Sequence, residues 1–398
     1  MSSASPAAAS SVARPIAMLS AAAFISAATM RVADPLLPQV AHEFDVSVGA
    51  ASAIVWAFAV AYGACQLLHG PLGDRVGKYR MIAVMTLLSA AGVAGGAFAT
   101  SLASLVALRI AAGATAAAII PLAMAWIGDV VPYERRQATI ARFLSGQILG
   151  SIFGQSIGGI FGEFFTWREV FLVLAAIYVA VAALLALELR SGRVVDRAGD
   201  FGLAPGAVAR RYLELASRPR VRVVCGIVAV EGALFFGGAA FLAAFLRHEF
   251  GLDYVTIGAL IGCFGLGGFL YVALSRRAIA HLGERGMSLA GGIILAATFA
   301  LVPFAPPPWF FAADMVVSGL GFYLIHNTLQ TNATQMAPEA RGSAVALFAS
   351  TFFLGQSAGV ALCGAAIDRV GYAPVFVACG LGLLAVSLAF RAARRRWS

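Results

Sequence analysis

The chain has 398 residues, of which 61% are hydrophobic and only 12% are charged, and its mean hydropathy is +0.87. Soluble domains are about a quarter charged, so a soluble enzyme of this size could not cover so much apolar surface. The net charge of +9 comes from arginines in short clusters between long apolar runs, not from one basic face that could bind nucleic acid. The composition therefore points to a protein of the lipid bilayer.

Apolar runs long enough to cross a bilayer follow one another along the chain. A spanning helix needs about 20 such residues, whereas the strands of a membrane barrel would show alternating segments of about ten. We therefore predict an all-α membrane protein with twelve transmembrane helices. In chain order the predicted spans are 15–40, 48–70, 79–99, 102–127, 137–161, 168–188, 221–246, 254–275, 287–305, 308–334, 341–365 and 372–391.

The basic residues predict the orientation. Twelve spans place both termini on one side, and with that side in the cytoplasm 23 of the 28 basic residues lie at the inner face, as the positive-inside rule requires. The alanine- and arginine-rich usage is typical of a GC-rich bacterium, so we expect a bacterial inner-membrane protein. The predicted parts are a disordered N-terminus, an N-terminal half, a cytoplasmic linker, a C-terminal half and a basic tail, at 1–14, 15–188, 189–220, 221–391 and 392–398.

The two halves repeat each other. His42-Glu43-Phe44 recurs as His248-Glu249-Phe250 at an offset of 206 residues. A second set of matches, at an offset of 205, pairs Gly150, Gly154, Gly159 and Phe171 with Gly355, Gly359, Gly364 and Phe376. Parallel repeats with a ligand site at their interface are typical of secondary transporters.

A glycine-rich basic loop, which we call the latch loop, follows the second span. Its glycines permit a tight turn, and its acidic residue can stabilise a nearby helix N-terminus. The loop consists of residues 70–78, and its defining residues are Gly70, Gly73, Asp74, Arg75, Gly77 and Lys78. This spacing resembles the signature loop between helices 2 and 3 of the major facilitator superfamily. The resemblance implies two pseudo-symmetric six-helix halves, and a conformational latch in which Asp74 meets the start of helix 11, after Arg341.

Further motifs resemble the proton-coupled drug and metabolite efflux branch of that superfamily. Arg109, with Gly113, resembles a helix-4 motif that the family associates with proton coupling. Asp34 with the prolines after it resembles the helix-1 motif of the efflux branch. The fifth span resembles the glycine-rich antiporter motif through Gly150, Gly154, Gln155, Gly158 and Gly159. Gln155 stands where that motif has a proline, so the expected helix kink would be missing; close helix packing is the alternative interpretation of the glycines.

Five ionisable residues lie within the predicted spans, where a charge costs about 2.5–3.5 kcal/mol and usually has a function and a partner. They are Arg31, Asp34, Arg109, Glu231 and Asp314. The repeat maps Arg109 onto Asp314, so we predict a charge network of two arginines and two aspartates in the outer half of a central cavity. The alternative is that Arg31 and Asp34 reach the outer lipid headgroups. Glu231 is predicted to carry a proton or to anchor a cationic substrate, with a packing role as the alternative.

A polar face on span ten is the second cavity feature. Tyr323, His326, Asn327 and Gln330 recur at three- and four-residue steps, so they share one side of a helix that lipid would not accept. The imidazole of His326 can titrate near neutral pH, or it can bond neutrally to a partner helix. Aromatic walls are assigned to Trp56, Tyr62 and Phe235, for which plain packing is the alternative.

The sequence contains no catalytic cluster, no phosphate-binding glycine-lysine motif and no metal-ligand spacing. We therefore predict a transporter that is not an enzyme, has no cofactor or metal, and uses the proton gradient. The predicted function is proton-coupled efflux of small amphipathic or cationic compounds by alternating access, from a monomer whose partners are substrate, protons and lipid, without nucleic acid. The alternatives are a proton symporter or uniporter for a polar metabolite (a sugar or organic anion), and a non-transporting membrane sensor.

Overall fold

The structure, a computed structural model, describes residues 6–192, 194–196, 205–304 and 308–397. Within those ranges the regular structure is helical throughout. The first half of the chain forms α1 (Pro6–Arg31), α2 (Ala33–Glu43), α3 (Val48–Ala51), α4 (Ala53–Val76), α5 (Lys78–Ala97), α6 (Leu102–Ala116), α7 (Ile119–Val130), α8 (Tyr133–Phe164) and α9 (Trp167–Arg190).

The second half of the chain repeats this arrangement after a short helix in the predicted linker. It forms α10 (Pro205–Ser217), α11 (Pro219–Ala239), α12 (Leu242–Phe250), α13 (Tyr254–Gly262), α14 (Phe264–Leu301), α15 (Pro308–Ala333), α16 (Arg341–Val370) and α17 (Tyr372–Trp397). Helix α10 lies in the predicted linker, and Arg218 at its end forms an ion pair with Glu339, which precedes α16.

Ten helical stretches of the described residues are long and apolar enough to cross a membrane. One of them, Tyr254–Phe304, has 51 residues, about twice the length of one crossing, and Gly283 with φ 60° divides it. Helix α8, of 32 residues, packs among the others as a further crossing. The helices thus accommodate twelve crossings, and the all-α membrane fold predicted from the sequence is confirmed.

Several predicted spans are interrupted by breaks that hydropathy alone does not reveal. The first span breaks between α1 and α2, and the fourth between α6 and α7. Pro35 and Pro121 follow these two breaks closely, and a proline cannot donate to the carbonyl four residues earlier and its ring clashes with that carbonyl. Each proline therefore ends the preceding helix about one turn before itself.

Backbone geometry and packing repeat between the halves. Gly77 (φ 100°) and Gly283 (φ 60°) turn the chain at equivalent places 206 residues apart, as do Asp45 (φ 51°) and Gly251 (φ 62°). Helix α1 packs on α8 as α11 packs on α16, and α5 packs on α9 as α14 packs on α17. The two halves are therefore pseudo-symmetric, as predicted.

The glycines of the fifth span form a packing seam. Gly150 and Gly154 face the backbone of Phe24 and Ala28 on α1, and the repeat-related glycines of α16 face α11 in the same way. Glycine has no side chain to hold the backbones apart, so the helices approach closely. Helix α8 is continuous through Gln155, in agreement with the absence of a proline there.

The two halves meet mainly where α4 packs on α16 and where α8 packs on α13. The outer ends of these helices, as the positive-inside prediction orients them, are in contact. Ser47 before α3 donates to Asp368 near the end of α16, and Glu163 near the end of α8 accepts from the backbone of Tyr254. The molecule is thus closed at its outer face.

Candidate functional site

Arg31, at the break between α1 and α2, is the centre of a buried polar cluster between the halves. Its Nη2 lies 3.0 Å from Oδ2 of Asp34, and both side chains are more than nine-tenths buried. The amide oxygen of Gln155, turned toward the guanidinium, accepts from Nη2 at 3.0 Å and from Nε at 3.2 Å. The ring of Phe236 on α11 stacks 4.5 Å from the guanidinium carbon. Arg31 therefore has its charge balanced within the protein.

The surroundings of Arg31 bear on two predictions, one for the charged residues of α1 and α2 and one for Gln155 of α8. Arg31 and Asp34 are buried and paired, so the alternative in which they reach lipid headgroups is wrong for this conformation. Gln155, where the antiporter motif has a proline, contributes a hydrogen-bond acceptor for Arg31. The departure from the motif thus replaces a helix break with a polar contact to a charged residue.

Arg109 makes its hydrogen bonds to backbone carbonyls and not to a carboxylate. Its Nε donates to the carbonyl of Ile54 at 2.9 Å and its Nη1 to the carbonyl of Thr29 at 3.1 Å, while the guanidinium stacks 4.3 Å from the ring of Phe58. These carbonyls lie near the breaks that flank α2 and α4, and they bond two of the three guanidinium nitrogens, whereas Nη2 has no hydrogen-bond partner among the described residues. Arg109 therefore ties three helices of the N-terminal half together.

Asp314 on α15 stands apart. It is 5% exposed, and its Oδ2 has no hydrogen-bond partner among the described residues. No ion pair joins it to Arg31, Asp34 or Arg109 within that part of the chain. The expectation of a four-membered network is therefore wrong for Asp314: the structure pairs Arg31 with Asp34 and keeps Arg109 within electrostatic range of the same carboxylate, whereas Asp314 stands apart.

Glu231 and His326 form the second buried pair. Nδ1 of His326 on α15 lies 3.1 Å from Oε2 of Glu231 on α11, and the Glu231 side chain is fully buried, whereas that of His326 is 15% exposed. Oε1 of Glu231 has no partner among the described residues. The rings of Phe322 and Phe352 stack against the imidazole, with centroids 5.1 and 4.6 Å away. His326 thus lies between the carboxyl and the more exposed face of α15.

A small, partly open cavity lies between the halves beside Arg31. Arg31 and Gln155 line it from the N-terminal half, and Phe235, Phe299 and Ser318 are among the residues that line it from the C-terminal half. Phe235 lies one helical turn beyond Glu231 and packs on Phe236, Phe264, Phe299 and Phe322. The cavity wall is therefore aromatic on one side and polar at Arg31.

The other predicted cavity residues divide into two groups. Tyr323 and Asn327 are partly exposed and Gln330 is exposed, which agrees with a polar face on α15 that looks toward the inner half of the cleft. Tyr62 is 2% exposed and packs on Phe353 of α16 with centroids 4.6 Å apart. The carbonyl of Trp56 accepts from Ser357 of α16. Tyr62 and Trp56 therefore belong to the contact between the halves in this conformation.

The latch loop is held within its own half. Lys78 forms ion pairs of 2.8 Å with both Asp74 and Asp129, and the carboxylate of Asp196, in the predicted linker, accepts from the backbone N–H groups of Tyr79 and Arg80. Among the described residues, no hydrogen bond or ion pair joins Asp74 to the start of α16. The implied contact between Asp74 and that helix is therefore absent here, where the halves are joined at their outer ends.

Several participants were not identified from the sequence. Phe322 and Phe352 pack on His326, and Glu163 and Asp368 bridge the halves at the outer face. The last two are related by the repeat offset of 205, a signal that could have found them. Within the described ranges, no group of three or more His, Cys, Asp or Glu side chains is placed to hold a metal ion.

Comparison with known proteins agrees with this geometry. The sequence profile of the Major Facilitator Superfamily matches residues 19–360. A chloramphenicol resistance protein of Streptomyces lividans is 25% identical over 81% of this chain and 81% of its own. A Helicobacter pylori (strain G27) protein named "Probable sugar efflux transporter" is 23% identical over 93% of this chain and 92% of its own.

Solved structures show the same fold at low sequence identity. The nucleoside transporter NupG superposes with a TM-score of 0.77 at 13% identity, covering 95% of this chain and 99% of that one. A bacterial homologue of the human lysosomal transporter Spinster, in an inward-facing and unoccupied conformation, gives 0.71 at 18% identity, covering 99% and 98%.

Two pseudo-symmetric halves with buried charged residues between them are the architecture of a secondary transporter. The family profile matches most of the chain, so this protein belongs to the major facilitator superfamily.

Proposed function

We propose that the protein exports small amphipathic or cationic compounds in exchange for protons, by alternating access of its two halves. The observation that carries the proposal is the buried pair of Glu231 and His326, 3.1 Å apart and next to the aromatic wall of the cavity. We further propose that it works as a monomer in a bacterial inner membrane, with both termini cytoplasmic and without a cofactor.

The pair supports proton coupling because of its charge balance. With one shared proton the pair is neutral overall, whether that proton is on the carboxyl or makes the imidazole cationic. Gain or loss of one proton leaves a net charge at bilayer depth, which is costly. His326 is the more exposed partner, so it offers a path for a proton between the cavity and Glu231. A protonation step would thus alter the charge that a bound substrate meets.

The cavity supports an amphipathic or cationic substrate. Aromatic side chains around Phe235 offer apolar surface and the faces that attract cations. Arg31 is paired with Asp34, and Arg109 is buried against backbone carbonyls, an arrangement that disfavours an anionic substrate. The similarity to a protein that confers resistance to chloramphenicol also favours export of a small organic compound.

A polar metabolite is the second candidate substrate. Asn327 and Gln330 line a polar and partly exposed face of α15, and such side chains could hydrogen-bond to hydroxyl groups. The similarity to the protein named "Probable sugar efflux transporter" is consistent with that chemistry. Export of a sugar would still require a polar surface, so substitution of Asn327 and Gln330 by leucine should abolish sugar transport and spare an aromatic cation.

The test is transport in proteoliposomes with an imposed pH gradient and a panel of lipophilic cations, neutral antibiotics and sugars. We expect pH-driven transport of at least one compound of the first two classes, and loss of its dependence on the gradient in Glu231→Gln. Glu249→Gln, which changes an exposed carboxylate of the same half, is the matched control. Full pH-driven transport by Glu231→Gln would contradict the coupling role.

A further inference from the structure

Two carboxylates cross from one half to the other at the outer face. Asp368, near the end of α16, accepts from Oγ of Ser47 at 2.5 Å and from the backbone N–H of Gly49 at 3.1 Å. Glu163, near the end of α8, accepts from the backbone N–H of Tyr254 at 2.9 Å. In each case the carboxylate belongs to one half, and its hydrogen-bond donors lie at the start of the second spanning helix of the opposite half.

The two contacts are equivalent by the internal repeat. Glu163 and Asp368 are 205 residues apart, and at the offset of 206 Tyr254 corresponds to Val48, which lies between the two residues that Asp368 contacts, Ser47 and Gly49. The receiving helices also share a local cap: Ser47 accepts from the N–H of Ala50, and Asp253 accepts from the N–H of Thr256. Each helix start therefore has one acceptor from its own half and one from the opposite half.

Glycines around both carboxylates let the two halves approach closely, so these contacts form only when the outer face is closed. On the Asp368 side, a side chain at Gly49 would occupy the position of the Asp368 carboxylate, and Gly364 lies against Ser52 and Gly49. On the Glu163 side, Gly159 lies against the backbone of Tyr254 and Gly258. Both carboxylates are exposed, so water can solvate them when the halves separate. An acceptor at a helix N-terminus is modestly favourable, enough to bias a conformation without locking it.

We propose that Glu163 and Asp368 are paired gating residues that hold the outer face closed and release their bonds to the opposite half when that face opens. The inference rests on the alternation of the two halves, and not on the nature of the substrate or of the coupling ion. Two equivalent contacts, one on each side of the cleft, would thus hold the outer face closed.

The experiment measures the width of the outer face with spin labels at His42→Cys and His248→Cys, which are exposed repeat-related positions at the outer ends of α2 and α12. The five native cysteines are replaced by alanine, and distances are read by pulsed electron resonance in nanodiscs without substrate or pH gradient. We expect Glu163→Gln and Asp368→Asn each to raise the population with a wide outer face about threefold, as for an exposed charged contact, and the double variant about tenfold.

Asp253→Asn is the matched control. Hydrogen bonds from the backbone and side chain of Thr256 hold the pKa of Asp253 below its ordinary value, so this change also removes a negative charge from the start of α13. Asparagine remains a good cap, and no bond to the other half is lost. The outer distances should therefore stay as in the parent protein.

A second label pair separates gating from loss of structure. Labels at Leu72→Cys and Arg277→Cys, exposed near the inner end of the second spanning helix of each half, should move closer in the double variant as the outer pair moves apart. Unchanged outer distances in the double variant, an equal response of Asp253→Asn, or broadening of both pairs without this opposite motion would each overturn the proposal. None of these readings depends on proton-coupled efflux, so failure of that function would be seen separately in proteoliposomes.

Discussion

At the scale of single residues, two buried arginines are stabilised by different kinds of contact. Arg31 is balanced by the Asp34 carboxylate, the Gln155 amide and the Phe236 ring. Arg109 is held by two backbone carbonyls and an aromatic ring. The first arrangement contains an ion pair and the second has hydrogen bonds to neutral groups only, so substitution of the carboxylate has a specific expected cost.

We predict that Asp34→Asn lowers stability because it leaves Arg31 buried without a counter-charge. Breaking a buried ion pair by removal of one partner costs about 3–5 kcal/mol, whereas replacing both partners is much less harmful. The midpoint of thermal unfolding in detergent should fall in Asp34→Asn and recover in part in Arg31→Gln/Asp34→Asn. Asp314→Asn, which removes a buried but unpaired carboxylate, is the control, and a larger loss in that variant would contradict the prediction.

Asp34→Asn is also expected to abolish proton-coupled flux if the Arg31 and Asp34 pair takes part in coupling. The measurement is pH-driven transport in proteoliposomes, at a temperature where the variant remains folded. Substrate binding measured without a gradient serves as the reference. Unaltered coupling with normal stability would assign Asp34 to packing alone.

The sequence could predict which residues are buried and charged, but not which of them meet. Spacing of three residues along a helix brings Arg31 close to Asp34, so that pair was predictable. The partners of Arg109 are the carbonyls of Thr29 and Ile54, which lie near helix breaks that hydropathy does not reveal. The expectation that Asp314 joins the other three charges in one network came from the repeat, and a repeat gives equivalent positions and not contacts.

At the scale of elements, glycine seams decide how closely the helices approach. The α1–α8 seam and its repeat in α11 and α16 bring backbone to backbone, as the glycine pattern in the sequence predicted. The same pattern could not tell a packing seam from an antiporter motif, because both need small residues at four-residue steps. Continuity of α8 through Gln155 favours the seam.

We predict that Gly150→Ala lowers the thermal unfolding midpoint, because its added methyl group would meet the Phe24 backbone. Excess volume in a packed interface costs about 1–3 kcal/mol. Gly128→Ala on α7 is the matched control, since nothing lies near the added methyl group and alanine is about 1 kcal/mol more favourable than glycine in a helix. Equal midpoints for the two variants would argue against the seam.

At the scale of the whole molecule, the internal repeat organises both the fold and the contacts between the halves. Equivalent turns at Gly77 and Gly283 and equivalent bridges at Glu163 and Asp368 recur at nearly constant offsets. The sequence predicted the repeat, the helical fold and the twelve crossings. It could not predict which face is closed, because both conformations of a transporter use the same helices.

The orientation in the membrane stays a prediction of the arginine distribution. Positive-inside topology places the C-terminus in the cytoplasm and Gly251 outside. A fluorescent protein fused after Ser398 should therefore fluoresce, and alkaline phosphatase fused after Gly251 should be active, since that enzyme needs the oxidising side of the membrane. Active phosphatase after Ser398 would reverse the assignment of inner and outer faces throughout.

The depth of the Glu231 and His326 pair has an electrical consequence. Glu231 is twelve residues along α11 from Pro219, about 18 Å at 1.5 Å per residue, so a proton that reaches it from outside crosses roughly half of the membrane. A full crossing is worth about 2.3 kcal/mol per elementary charge at 100 mV, and half of that would act on this step. Exchange of a neutral compound for one proton would then carry current, and membrane voltage alone could drive it when the pH is equal on both sides.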